Sequence, residues 1–313
     1  MNTIRRQVLV AAVGLFLIQS AHGAQTLNGF EIDPRSALIP LDEIHSGGPP
    51  RDGIPSIDEP RFAQTDEMQS VDGAAPVLGL FHNGVAKAYP IAIMNWHEIV
   101  NDLFGGDPVV VTYCPLCGSG VAFSASIDGR DVTFGVSGLL YNSDVLLFDR
   151  ETESLWSQIH SKAVTGKMTG TGLGMLPLIA TDWKTWRKEY PTTLLLSRDT
   201  GVERDYDRDP YAGYESSEGV WFPVNKKDPR YHPKERVLGI EVNGALKAYP
   251  FAELSKTSGD VRDEFNGRTL RILYDEKSGT GRAFGPDGKD HPVIRSFWFA
   301  WYAFHPATEV YIH

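Results

Sequence analysis

The sequence predicts an α+β fold, mainly antiparallel β-sheet with a few helices, built from an internally duplicated unit. Three observations carry this. "VLGLFHNGVAKAYPIA" from Val77 is echoed by "VLGIEVNGALKAYPFA" from Val237. "FGGDPVVVTYCPLCGSGVAF" from Phe104 parallels "FNGRTLRILYDEKSGTGRAF" from Phe265. Each copy holds an Asn-Gly pair, Asn83-Gly84 and Asn243-Gly244, between apolar runs, the strongest short-range signal for a two-residue β-hairpin.

The elements follow in chain order. Residues 1–23 read as a signal peptide: Arg5 and Arg6, an apolar stretch over 8–18, then Ala21 and Gly23 at a small-residue cleavage site. The segment 24–76, rich in Pro, Gly and Asp, reads as an N-terminal arm. The first repeat unit spans 77–200. After its hairpin, a helix is expected over about 91–104, with Pro90 at its start and Gly105 at its end. Ile93, Trp96, His97, Val100, Leu103 and Phe104 would share one face. "PVVVTY" is then a buried strand, and "VAFSASI" pairs back after the cysteine turn. "DVTFGVSG" and "SDVLLFD" read as further strands, and a second helix is expected over 183–190, stopped by Pro191. Residues 201–236 form a connector. The second repeat unit, 237–313, lacks the cysteines and ends in "SFWFAWYAF", read as core strand.

Thirty Lys and Arg stand against 40 Asp and Glu, for a net charge of −10. There is no basic block, which argues against nucleic acid and anionic membrane surfaces as partners. The apolar stretch of the leader is short for a bilayer span, and no stable membrane insertion is expected after cleavage. The protein is thus expected in the periplasm or secreted, where a cysteine pair can be oxidised.

Both cysteines of the chain fall in "TYCPLCGSGVAF". Aligning the copies puts Asp275 opposite Cys114 and Ser278 opposite Cys117, while Gly118 and Gly120 match Gly279 and Gly281. The turn can therefore be built without thiols, and chemistry belongs to the first copy. A disulfide closing so small a loop would add only about 2 kcal/mol. Two working readings remain. In the first, Cys114 attacks as a thiolate, Cys117 resolves the mixed disulfide, and His97 holds or moves the proton. The turn leads into a strand, so the helix N-terminus that activates many such pairs is missing. In the second, Cys114, Cys117 and His97 bind Cu or Zn. A non-enzymatic binding module with a structural disulfide is the third possibility. His45, His82, His160, His232, His291 and His305 lack ligand spacing and are read as surface or structural residues.

A second polar cluster, Asn142, Asp144, Asp149, Arg150, Glu153, Trp156 and Gln158, is assigned mostly to a hairpin turning at 149–153. Asn142, Trp156 and Gln158, with Tyr113, are the candidates to line a cleft beside the cysteines.

Taken together, "TYCPLCGSGVAF", "GVSGLLYNSDVLLFDRETESLWSQ", "SGGPPRDGIPSID" and "FWFAWYAFHP" resemble an exported bacterial and archaeal family filed as a domain of unknown function. The likeness covers nearly all of the chain after residue 23. It implies no established activity. Some relatives are described as selenoproteins with selenocysteine within the cysteine motif. That implies redox or soft-metal chemistry at the position of Cys114 or Cys117.

The function expected is thiol–disulfide chemistry on an unidentified small molecule or protein thiol. The leader is directly testable. Mass spectrometry of exported protein should find a chain beginning at Ala24, and an intact Met1 in that fraction would count against cleavage.

Overall fold

The computed structural model describes residues 25–313. The leader assigned to 1–23 lies outside them. Mainly antiparallel β-sheets with a few short helices make up the fold. Among the described residues no helix is long and apolar enough to cross a membrane.

The strands Pro76–His82 and Val85–Pro90 pair around Asn83-Gly84, and Arg236–Val242 and Ala245–Pro250 around Asn243-Gly244. All four turn residues have positive φ, from 45° to 81°, as a type I′ turn requires. The first hairpin is flanked by Ile179–Asp182 and, in parallel, by Leu194–Leu195, giving a four-stranded sheet. The second hairpin lies in the largest sheet. Its strands run in the order Glu309–Val310, Ala245–Pro250, Arg236–Val242, Ile294–Phe297, Ser119–Ser124, Asp107–Cys114, Ile99–Phe104, with Met175–Leu176 also on Ser119–Ser124. The cysteine hairpin is thereby joined to the C-terminal part of the chain, with Arg295 opposite Gly120.

Two expectations are corrected. The helix over 91–104 ends at His97. Glu98 takes φ 58° as its left-handed cap, and Ile99–Phe104 is a strand paired with Asp107–Cys114. The apolar spacing fitted a helix, but Gly105 and Gly106, both at positive φ, form a hairpin turn rather than a helix stop. β-Branched Ile99 and Val100 favour the strand. Leu103, assigned to the buried helix face, is 59% exposed. The second correction concerns "SFWFAWYAF". Only Ile294–Phe297 is strand, and Trp298–Phe304 is a helix. Its aromatics are core as expected: Trp298, Phe299, Trp301 and Phe304 are all buried. The helix expected over 183–190 is present as Trp183–Glu189, capped by the Asp182 carboxylate on the Thr185 amide at 2.6 Å.

Between Ser124 and Ile179 the chain builds a five-stranded sheet from Phe134–Tyr141, Asp144–Asp149, Leu155–Ser157 and Lys162–Thr165, edged by Ile44–Ser46 from the N-terminal arm. A single apolar cluster runs from this sheet through both cysteines to the Trp298–Phe304 helix.

Each hairpin carries the same polar clamp, buried in the first and half-buried in the second. Lys87 Nζ donates to Asp102 at 2.7 Å and Tyr89 to the same carboxylate at 2.6 Å. Lys247 lies 2.6 Å from Asp263, which also accepts from Tyr249 at 2.7 Å. Each hairpin also presents a glycine to an indole. A Cβ at Gly79 would lie 2.3 Å from the Trp186 ring, and one at Gly239 would lie 2.0 Å from Trp301.

Those two glycines should not tolerate even a methyl group. Gly79→Ala and Gly239→Ala are each expected to cost about 1–3 kcal/mol or more in urea unfolding, because a buried indole must move. Gly172→Ala, where a Cβ meets nothing within 4 Å, is the control and should be close to neutral.

Candidate metal and thiol site

The cysteine turn connects Asp107–Cys114 to Ser119–Ser124, with Cys114 opposite Ser119. It is closed by the Cys117 amide donating to the Cys114 carbonyl at 3.2 Å. Gly118 follows at φ 58°, where a Cβ would strike the Phe297 ring at 2.8 Å. The Phe297 amide donates to the Cys117 carbonyl at 2.8 Å, so the C-terminal part of the chain pins the turn. Both cysteines are free and buried.

A second tight turn meets the first. Asn142 and Ser143 link Phe134–Tyr141 to Asp144–Asp149, both at positive φ, 49° and 68°. A serine there is strained, since the left-handed region suits Gly or Asn. The turn brings the Ser143 carbonyl to 3.3 Å from Cys117 Sγ and 3.8 Å from Cys114 Sγ. Directly after it stands Asp144. A carboxylate oxygen of Asp144 and the two sulfurs all lie within 4.8 Å of one another, and all three residues are buried. Asp144 Oδ2 accepts from the Ile159 amide at 3.3 Å, while Oδ1 has no hydrogen-bond partner among the described residues. The buried Ser143 Oγ and Tyr214 hydroxyl also lack partners among the described residues.

The electrostatics of this cluster are one-sided. Burial raises the Cys114 thiol, and Asp144 and Glu98 add to it. Cys117 is raised well above its ordinary value, first by burial and then by Cys114 and Asp144. Burial pushes Asp144 up to about 7 and Glu98 up to about 8, the latter helped by Asp144. Cys114, Cys117 and Asp144 thus share a buried site, Glu98 is buried as well, and each of the four is held towards its protonated form.

Gln158 braces the cysteine hairpin from the five-stranded sheet. Its carbonyl accepts from Ser119 Oγ at 2.6 Å, and its amide donates to Thr112 Oγ1 at 2.8 Å. Asn142 Oδ1 accepts from the Asn225 amide at 2.9 Å and so ties down the connector. Trp156 points elsewhere: its indole donates to Asp149 at 2.9 Å, inside the turn expected over 149–153. Tyr113 lies beside the turn. With Pro115, Tyr211, Tyr214, Glu215 and Phe297 it lines a cavity of about 300 Å³. Buried Lys234 holds the connector over this region, donating to the carbonyls of Tyr214, Ser217 and Gly219 and lying 3.8 Å from the centre of the Tyr214 ring.

His97 is not part of the cluster. Its Nδ1 donates to the Pro55 carbonyl at 2.8 Å, and its Nε2 pairs with the Tyr206 hydroxyl at 2.7 Å. Because a carbonyl can only accept, Nδ1 carries the proton, and neutral Nε2 accepts from Tyr206. Burial lowers its pKa. The expectation that His97 reaches a sulfur failed because the helix ends there. The ring turns to the arm and the connector, and both nitrogens are used. Asp144 takes the third place. It was visible in the sequence as one of several polar residues around a hairpin, but nothing local marked it out from Asp149.

Residues 51–293 match a protein family described as "Protein of unknown function (DUF3179)". No curated protein and no solved structure matches the chain.

The buried carboxyls set a pH dependence for the metal-free protein. In the unfolded chain Asp and Glu titrate near 4. Between that value and their folded values, the folded state keeps protons that the unfolded state has released, so stability falls as pH rises. His97, His160 and His305, all lowered by burial, act oppositely but only below about pH 6.5. Chelated protein should therefore lose stability from pH 6.5 to 8, by up to about 1.4 kcal/mol per pH unit for each carboxyl. Glu98→Gln should flatten the slope in urea unfolding, and an unchanged slope would contradict this assignment.

Proposed function

The chain belongs to the DUF3179 family, and we propose that its Cys114–Cys117–Asp144 cluster is a metal site that takes a thiophilic ion, Zn²⁺ or Cu⁺. The observation that carries this is the convergence of two thiols and a carboxylate, all buried, with one carboxylate oxygen left without a partner. A cation would supply what that group of acids lacks. A bound cation would displace the protons from both sulfurs and let the thiolates and the carboxylate ionise together in a buried site. The mixed sulfur and oxygen donor set fits Zn²⁺ better than Cu⁺, which favours sulfur alone. Three protein ligands are the number that Zn²⁺ keeps where a fourth position stays open.

Thiol–disulfide exchange is the second reading, favoured by two free thiols on one turn. It requires a thiolate at working pH. Burial and the neighbouring acids oppose this, and among the described residues no histidine joins the two thiols to assist it.

We also infer that the two halves are copies of one unit, with chemistry kept in the first. Support comes from the sequence likeness, the paired Lys–Asp–Tyr clamps and the two glycine–indole contacts. In addition, Trp186 and Trp301 each donate to a threonine, Thr193 at 2.8 Å and Thr308 at 3.0 Å. On this reading the five-stranded sheet is an insertion into the first copy, and it brings Asp144 to the cysteines. The equivalent turn of the second copy holds Asp275 and Ser278, hydrogen-bonded to each other at 2.8 Å. The leader reading places the whole protein outside the cytoplasm.

The test is a joint measurement of bound metal and free thiols on protein purified without oxygen. One Zn²⁺ or Cu⁺ per chain is expected at this site. Cys114→Ser with Cys117→Ser should abolish it, and Asp144→Asn should weaken it about tenfold or more, on the order of 1.4 kcal/mol. Asp275→Ala with Ser278→Ala should leave it intact. A metal-free protein whose cysteines form a disulfide reducible above about −300 mV would favour the redox reading instead.

A further inference from the structure

Away from the cysteine turn, a cleft of about 450 Å³ opens between the inserted sheet and the C-terminal part of the chain. His160 and Met175 line it from one side, His305 and Trp301 from the other. The two imidazoles face each other with ring centroids 5.9 Å apart and planes at 79°. His305 packs on Trp301 at 4.3 Å and His160 on Phe304 at 4.8 Å, so aromatic contacts hold both rings. Neither ring hydrogen-bonds to another described residue; the only bonds at these positions are made by backbone groups. This contrasts with His97, whose two nitrogens are both engaged. Burial keeps both imidazoles neutral, with Lys162 nearby adding to the effect, and a neutral imidazole offers a lone pair.

We propose that His160 and His305 form a second metal site, with the thioether of Met175 in the same cleft as third donor, and that the site takes Cu⁺. The donors are uncharged and include a soft sulfur, which suits a monovalent soft ion. Zn²⁺ would bring two positive charges into a half-buried cleft with no anionic ligand among these three. Lys162 and Glu241 also line the cleft, both exposed and opposite in sign, so they leave its net charge unchanged. The site is independent of the cysteine cluster in its ligands, yet close to it along the chain. His160 follows Ile159, whose amide holds Asp144. Sequence spacing gave no hint of it, because the two histidines come from distant segments.

The test uses Cys114→Ser/Cys117→Ser protein, in which the inner thiolates are gone, titrated without oxygen with Cu⁺ against a chromophoric Cu⁺ chelator. One equivalent should still bind, with nitrogen and sulfur scatterers in its X-ray absorption spectrum. Adding His160→Phe and His305→Phe, which keep the aromatic packing, should remove that equivalent. Full retention of Cu⁺ in this quadruple variant overturns the proposal. A second measurement needs no histidine variant: Cu⁺ should shift the imidazole ¹⁵N signals of His160 and His305 in the cysteine-free protein. Unmoved signals also overturn it, whatever the cysteine site does in wild-type protein.

Discussion

The constraint on which much of this structure turns is the burial of two thiols and two carboxyls in one dry region. Cys114, Cys117, Asp144 and Glu98 would each carry negative charge or a proton, and three lysines of the fold are engaged with other groups. Lys87 and Lys247 are clamped to Asp102 and Asp263, and Lys234 is wrapped in carbonyls. Grouping like charges away from water costs free energy in the absence of a counterion. Such a cost is tolerated in a folded protein where a ligand removes it.

Several otherwise unrelated features serve to hold that region. Two turns with left-handed residues, one ending at Gly118 and one at Asn142-Ser143, bring backbone and side chains together that lie far apart in the chain. Gln158 locks the cysteine hairpin to the five-stranded sheet, the Phe297 amide locks it to the Ile294–Phe297 strand, and Asn142 fastens the segment around Asn225. His97 ties the arm, the helix and the connector at one point. The site is therefore assembled from several separate stretches of chain. Its geometry is a property of their packing rather than of the Cys-Pro-Leu-Cys motif.

The parts of the fold that were legible in the sequence share a local cause. Asn-Gly at both hairpins dictates turn type through the conformations those two residues tolerate. Pro191 marks the stop of the helix expected over 183–190, which ends at Glu189. The strand entering the cysteine turn holds a run of Val after Gly105-Gly106. Errors arose where two local patterns agreed with the same residues. The apolar positions over 91–104 satisfy helical spacing, and the helix is real as far as His97. Beyond it, Gly105-Gly106 turned out to close a hairpin, and pairing with Asp107–Cys114 decided for a strand. The aromatic run near the C-terminus likewise carries burial without fixing conformation.

What the sequence by itself determined is the position of the thiols, two on one tight turn, and the type of each short hairpin, because both depend on neighbouring residues alone. Its leader pattern and charge further shaped the expected setting. Only the tertiary structure decided which residue joins the cysteines. Asp144 reaches them because the Asn142-Ser143 turn, on a different sheet, is packed against theirs, and His97 does not because its helix ends with the ring facing the arm. Ligand sets assembled from separate strands depend on sheet order and crossing, and these are set by the burial of whole faces rather than by residue spacing.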